Sequence, residues 1–143
     1  MTLAAYILWA LTTWTSSRHI PAEQLQPWAD AMAAVCQHTD ECITLAALSF
    51  EETGYTPWAV DQSCNDEQWR NRQRGWIRAA CDGGAAFGPW QLHDSRAQNA
   101  SPDIQASVAL EFLRSRGIKQ WTTWSRAQKL TAWWLQTHPL PVD

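Results

Sequence analysis

The chain carries few charged residues and no excess of positive charge. Charged residues make up 17% of the 143 positions, and 11 lysines and arginines against 14 acids give a net charge of −3. Proteins bind nucleic acid through clustered basic side chains that neutralise phosphates, so this balance argues against a nucleic-acid partner. One short segment does concentrate arginine, at Arg70, Arg72, Arg74 and Arg78. This cluster is typical of a solvated surface, and contact with an anionic polymer such as a cell wall is the alternative.

Long apolar runs, internal repeats and linkers are also missing. Because the length suits one domain and hydrophobic residues make up 45% of the chain, we expect a single domain over residues 1–143. The segment Met1–Ser17 has no charged side chain, but it is too mixed to span a bilayer and lacks the basic start of an export signal. Its apolar residues share a helical stripe. We therefore expect an amphipathic first helix and no integral membrane segment, with an uncleaved export segment as the alternative.

Cysteine is scarce but even in number. The four residues, Cys36, Cys42, Cys64 and Cys81, permit two disulfides, and the pairing local in sequence is Cys36–Cys42 with Cys64–Cys81. A zinc site with His38 is an alternative, although the spacing matches none of the usual paired zinc motifs. Four buried thiols in a reducing compartment are another. We expect no metal.

The apolar pattern predicts a mainly α protein with one irregular lobe. Expected helix starts lie at Pro21 or Pro27, at Thr39 or Asp40, at Pro102 and at Ser125, and expected ends lie at Gly54, at Gly117 and before Pro139. The helix that ends at Gly54 is apolar nearly all round, so we expect it at the centre of the fold. Between residues 61 and 84 the pattern turns polar, which predicts loops, a short hairpin and a short helix.

Tryptophan is abundant. Its 11 copies exceed what a core of this size needs. Since tryptophan is rarely buried completely, some of these side chains should line a groove. Flat aromatic faces in a groove suit sugars, bases or cationic ligands.

Two adjacent acids, Glu51 and Glu52, end the most apolar helix. Consecutive helical residues point about 100° apart, so at most one of these carboxyls faces solvent squarely. Burial and the carboxyl end of a helix both favour the protonated acid and so raise its pKa. A carboxylic acid that stays protonated near neutral pH is what general-acid cleavage of a glycosidic bond requires. Two exposed acids in a helix-ending turn are the alternative.

The residues that follow carry a family resemblance. The segment from Glu52 to Val60, ETGYTPWAV, resembles the catalytic motif Glu-Ser-Gly-aromatic-x-Pro-x-Ala of the soluble lytic transglycosylase and goose-type lysozyme family, with Thr53 where serine is usual. Residues 85–92 resemble its second motif, Gly-Ala-x-Gly-x-x-Gln-Leu. Looser likenesses to its third and fourth motifs follow at residues 103–113 and 124–134, so the resemblance spans roughly residues 25–139.

The resemblance implies a lysozyme-like α+β fold in which a small irregular or β lobe lies between helices. It also implies a glycosidase that cleaves the MurNAc-GlcNAc bond of peptidoglycan, with Glu52 as the acid and no cofactor. A hydrolase of the paired-carboxylate kind needs a second acid, for which Asp61 is the first candidate, whereas a lytic transglycosylase works with one glutamate. The residues expected to bind the sugar are Tyr55, Trp58, Gly88, Trp90, Gln91 and Trp133.

The expected partner is the glycan strand, met by a monomer outside the cytoplasm, as with a phage lysin or an exported enzyme. Disulfides suit that environment. Two other classes stay open. One is a non-catalytic glycan-binding or phage structural module with the same fold, and the other is a small helical interaction protein whose Trp-rich surface meets a protein partner.

Overall fold

The computed structural model describes residues 1–55 and 86–141. These contain five α-helices, namely α1 (Leu3–Trp14), α2 (Ala22–Val35), α3 (Thr39–Thr53), α4 (Pro102–Arg116) and α5 (Trp124–Thr137). The mainly α class is thus confirmed. In these two ranges the only β pairing is one antiparallel bridge, between Phe87 and Leu92. The segment predicted to form the irregular lobe, residues 61–84, lies outside the described residues.

The first helix belongs to the fold, as the amphipathic pattern predicted. Tyr6, Ile7, Ala10 and Leu11 on α1 are completely buried, and the helix packs against α2 and α3. Because a stripe of one helix face reaches the core, the segment is held by tertiary packing. None of the helices in the described ranges is long and apolar enough to cross a membrane.

The helix α3 lies at the centre, between α1, α2 and α5. Its buried residues include Ile43, Leu45 and Leu48, which occupy more than one face of the helix. Gly54 ends α3 with φ of +60°, as predicted. A Cβ at this position would meet the guanidinium of Arg18, so glycine here serves both the turn and a close contact. The start of α3 differs by one residue from the prediction, since His38 precedes the first helical residue.

Some of the other helix boundaries agree with the prediction and others differ from it. Pro102 opens α4 and Gly117 ends it, as predicted, with the Ser101 hydroxyl accepting a hydrogen bond from the backbone N–H of Ile104 at 3.4 Å. Pro27, expected at a helix start or first turn, lies in the second turn of α2. The residue before α5 is Thr123 rather than Ser125. These shifts of one or more residues arise because several neighbouring polar residues could serve as caps.

An aromatic cluster joins the first and last helices. Trp134 of α5 is fully buried and contacts the rings of Tyr6, Trp9, Trp14 and His138. The Tyr6 hydroxyl also donates a hydrogen bond to the backbone carbonyl of His138. A large share of the tryptophan content is therefore structural.

A disulfide links the end of α2 to the first turn of α3. Cys36 and Cys42 form the predicted local pair, with their Cα atoms 5.6 Å apart. Their sulfurs are therefore unavailable as thiolate ligands for zinc. The predicted partners Cys64 and Cys81 lie outside the described residues.

Candidate functional site

An open cleft of about 670 Å³ lies at the carboxyl end of α3. Its walls come from α3, from residues 86–93, from the end of α4 and from the connection before α5. The lining residues are Glu52, Ala86, Gln91, Leu92, His93, Phe112, Arg116, Gln120, Trp121 and Thr122. The cleft therefore combines one carboxylate, positive or polar groups and apolar side chains, which is a mixture typical of ligand-binding sites.

Glu52 lies in the last turn of α3 and is half-buried. The hydroxyl of Thr123 donates a hydrogen bond to its Oε1 at 3.1 Å. Burial raises the pKa of the Glu52 carboxyl, and the Thr123 hydrogen bond and the nearby charges of Arg126 and His93 offset only part of that rise. The pKa of this cleft-lining carboxyl therefore lies above its ordinary value, with burial as the main cause.

Glu51 occupies a different environment. Its Oε2 lies 3.4 Å from Nε of Arg126, and this arginine side chain is 69% exposed. Glu51 is not among the residues that line the cleft. The angle of about 100° between successive helical residues separates the two adjacent acids.

Gln91 belongs to a tight turn whose ends are Phe87 and Leu92. These two residues exchange backbone hydrogen bonds of 3.1 and 2.9 Å. Gln91 has φ of +51° and lines the cleft, while its Nε2 donates to the carbonyl of Gly88 at 3.0 Å. The structure therefore places the glutamine of the second motif on the same cleft as Glu52.

Gly88, predicted to allow a close approach to sugar, lies against a buried side chain of α4. Its φ is +70°, and a Cβ would collide with the carboxamide of Gln105. Gln105 is completely buried, with Nε2 bonded to the carbonyls of Ala97 and Ala100 at 3.2 and 3.3 Å. Gly88 is thus needed for packing of the turn onto α4, and it does not line the cleft.

Tyr55 and Trp90 were predicted to contact sugar, but in the structure they belong to the core. Both side chains are completely buried. The indole N–H of Trp90 donates to the carbonyl of Leu45 at 2.9 Å, and the Tyr55 hydroxyl lies 2.6 Å from that of Ser49. Burial raises the pKa of the Tyr55 phenol. The Trp90 bond holds the turn against α3, while the Tyr55 ring packs on Trp28 of α2.

Trp133 was also predicted as a sugar contact and lies elsewhere. Its ring is 49% exposed and contacts the rings of Trp134 and His138. At ten residues beyond Thr123, it is about 15 Å further along α5. Trp133 therefore lies on the helix that follows Thr123, away from the end that contacts Glu52.

The cleft contains residues that the sequence did not single out. Trp121 lines it and donates its indole N–H to the carbonyl of Trp90 at 3.0 Å. Thr123 follows two residues later and bonds Glu52. The tryptophan count signalled that some indoles line a groove, but no spacing rule selected Trp121. The predicted residues Trp58 and Asp61 lie outside the described residues.

Arg116 is a second charged residue on the wall of the cleft. Its guanidinium carbon lies 4.0 Å from the centroid of the Phe112 ring, one helical turn earlier on α4.

Within the described ranges, no group of three or more His, Cys, Asp or Glu side chains is arranged to hold a metal ion.

Comparison of the chain with protein-family models, with curated proteins and with solved structures gave no significant match.

Proposed function

We propose that the protein is a glycosidase that cleaves the β-1,4 bond between MurNAc and GlcNAc in peptidoglycan, with Glu52 as the general acid. The observation that carries the proposal is the half-buried carboxyl of Glu52 on the wall of an open cleft, where burial raises its pKa. The motif likeness that begins at Glu52 and the placement of Gln91 on the same cleft support the same chemistry. Such an enzyme acts on the cell wall outside the cytoplasm, where a disulfide such as Cys36–Cys42 persists.

The two oxygens of Glu52 have different environments. Oε1 accepts the hydrogen bond from Thr123, which orients the carboxyl and leaves Oε2 to carry the proton. In the first step, Oε2 protonates the glycosidic oxygen as the bond to the anomeric carbon breaks. The carboxylate that results is stabilised by the Thr123 donor and by the positive charges nearby, so one group serves as acid and then as base.

The second step depends on what attacks the anomeric carbon. In the described part of the cleft wall, Glu52 is the single carboxylate. Such a site supports lytic transglycosylation, in which the Glu52 carboxylate accepts the proton of the MurNAc 6-hydroxyl as that oxygen closes a 1,6-anhydro ring. Hydrolysis with a second acid such as Asp61 is the other route. Mass analysis of the released muropeptides distinguishes the two, since the anhydro product is lighter by one water.

The other lining residues suit a sugar chain. Trp121, Phe112 and Leu92 are almost completely buried and form an apolar floor to the cleft. Gln91 and Gln120 supply donors and acceptors for hydroxyl and acetamido groups. Saccharides present both kinds of surface at each ring. The open shape of the cleft fits a polymer that passes through the site.

Glu52→Gln tests the proposal. The amide retains an oxygen that accepts from Thr123, so the fold should persist while the proton donor is lost. We expect the rate of turbidity loss of a peptidoglycan suspension to fall by about 10²-fold or more. Glu51→Gln is the matched control, because it removes a neighbouring carboxylate outside the cleft, and it should keep nearly the wild-type rate.

Equal clearing by the wild type and Glu52→Gln would contradict the proposal. So would failure of the folded wild type to clear peptidoglycan, which would favour a non-catalytic glycan-binding module.

A further inference from the structure

Arg116 is an exposed cation on the same cleft as Glu52. We propose that it forms a carboxylate-binding subsite, which makes the protein select saccharides that carry an acidic substituent over uncharged ones. This inference rests on the proposed function for the location of the glycan. It adds a specificity-determining residue that takes no part in bond cleavage.

The guanidinium is oriented by an aromatic surface. Arg116 is the last residue of α4, and its Cζ lies 4.0 Å from the ring centroid of Phe112. Phe112 is buried apart from a small exposed part and lines the same cleft. Stacking on a ring restricts the arginine and leaves its N–H groups free at the edge of the plane, which is where a carboxylate binds in a bidentate manner.

The charge of Arg116 has no ion-pair partner in the described ranges. The two other arginines of this region are paired, Arg96 with Asp94 and Glu111 and Arg114 with Glu41, at 2.8 Å in each case. The charge of Arg116 is the smallest of the effects that lower the pKa of Asp94. Both of its carboxylate oxygens, however, accept hydrogen bonds from Arg96, at distances of 2.8 to 3.0 Å.

A positive side chain at the carboxyl end of a helix also stabilises that helix. That role would explain a cation in the last turn of α4, but Arg114 already supplies one there. It does not explain a guanidinium stacked on a cleft-lining ring. The helix-stabilising role predicts a change in thermal stability alone, whereas the subsite predicts a change in ligand preference.

The recognised group is a carboxylate attached to a saccharide. In peptidoglycan it has two sources. A glycan without peptides carries the lactyl carboxylate on each MurNAc, whereas in a peptide-substituted glycan that group is an amide and the free carboxylates lie on the stem peptide. Arg116 distinguishes both from a GlcNAc oligomer, which carries no acidic group.

Binding to the Glu52→Gln protein tests the subsite without turnover. The probe is the tetrasaccharide GlcNAc-MurNAc-GlcNAc-MurNAc, titrated calorimetrically beside the same compound with both lactyl carboxylates converted to methylamides. A peptide-bearing tetrasaccharide forms a third arm. We expect at least one carboxylate form to bind about tenfold more tightly than the amide form, and the tighter one identifies the source.

Arg116→Gln in the Glu52→Gln background should abolish that preference, with both forms binding about as weakly as the amide. Arg116→Lys keeps the charge without the planar fork and should restore only part of it. Lys129→Gln, an exposed charge on α5 away from the cleft lining, is the matched control and should leave the preference unchanged. Retention of the preference in Arg116→Gln, or its absence in the parent, would overturn the subsite.

The two proposals fail in different ways. If the wild type does not cleave peptidoglycan but the Arg116-dependent preference is present, the glycosidase proposal fails and the subsite stands. If cleavage depends on Glu52 while Arg116→Gln leaves the preference for the acidic saccharide unchanged, the subsite fails and the glycosidase proposal stands.

Discussion

The acidity of one side chain depends on opposing local effects. Burial at the end of α3 raises the pKa of Glu52, while the Thr123 hydroxyl and the charges of Arg126 and His93 lower it, and burial is the largest of these. Glu51, one residue earlier, instead pairs with the exposed Arg126. The chemical difference between the two acids comes from the direction of each side chain and not from its identity.

Removal of the Thr123 hydroxyl should shift the pH dependence of activity. The general acid works in its protonated form, so activity falls as pH rises through the pKa of Glu52. Because the Thr123 donor stabilises the carboxylate, Thr123→Val raises the pKa of Glu52 further and moves the alkaline limb to higher pH. Thr137→Val removes an exposed hydroxyl bonded within α5 and should leave the limb in place. A shift to lower pH in Thr123→Val would contradict this account.

The ionised Glu52 should also destabilise the folded protein. A carboxyl whose pKa is raised by folding contributes stability below its unfolded pKa, and this contribution is lost as pH rises through the folded pKa. Glu52→Gln carries no charge, so its Tm at pH 7 should exceed that of the wild type by about 1–2 °C, since solvent screens a half-exposed group. Near the unfolded pKa of about 4.3 the difference should shrink. A wild type that is more stable than Glu52→Gln at pH 7 would refute this explanation.

At the scale of elements, the cleft depends on a six-residue turn, Phe87–Leu92, held against α4. Backbone bonds close the turn, and Gln105 packs where Gly88 lacks a side chain. The turn brings Gln91 to the cleft and holds the carbonyl of Trp90 against the indole of Trp121. Packing behind the cleft therefore fixes the shape of this turn.

Gly88→Ala should destabilise the protein more than Gly54→Ala. Both glycines have positive φ, which costs alanine about 1 kcal/mol. At Gly54 the added methyl meets Arg18, which is exposed and can move, whereas at Gly88 it meets the buried Gln105. We expect an additional loss of about 1–2 kcal/mol at Gly88. Urea unfolding measures both, and equal losses would show that Gln105 accommodates the methyl.

At the scale of the whole molecule, the disulfide and the aromatic cluster around Trp134 are separate from the cleft. The disulfide joins α2 to the start of α3, and Glu52 lies ten residues after Cys42, about 15 Å along the helix. The aromatic cluster around Trp134 closes α1 onto α5. Stability can therefore be changed at these links without a change in the cleft.

Cys36→Ala with Cys42→Ala tests that separation. Loss of a disulfide that spans a sequence separation of 6 should lower the free energy of unfolding by about 2 kcal/mol, because the unfolded chain gains conformational freedom. Peptidoglycan clearing well below the Tm should stay near the wild-type rate. The variant is compared with the wild type by urea unfolding and by the turbidity assay. A loss of clearing as large as that of Glu52→Gln, in a folded variant, would show that the disulfide positions the site.

The sequence by itself determined the mainly α class, the central α3 that ends at Gly54 and the Cys36–Cys42 pair. Periodicity, a glycine stop and a short cysteine spacing are local signals, so neighbouring residues suffice to predict them. The tertiary structure decided which aromatics contact the cleft. Trp90 and Tyr55 are completely buried, Trp133 lies with Trp134, and Trp121 lines the wall with a small exposed part. The neighbouring sequence does not distinguish a tryptophan of the core from one on the cleft wall. The packing of helices that are distant in sequence determines which of the two it becomes.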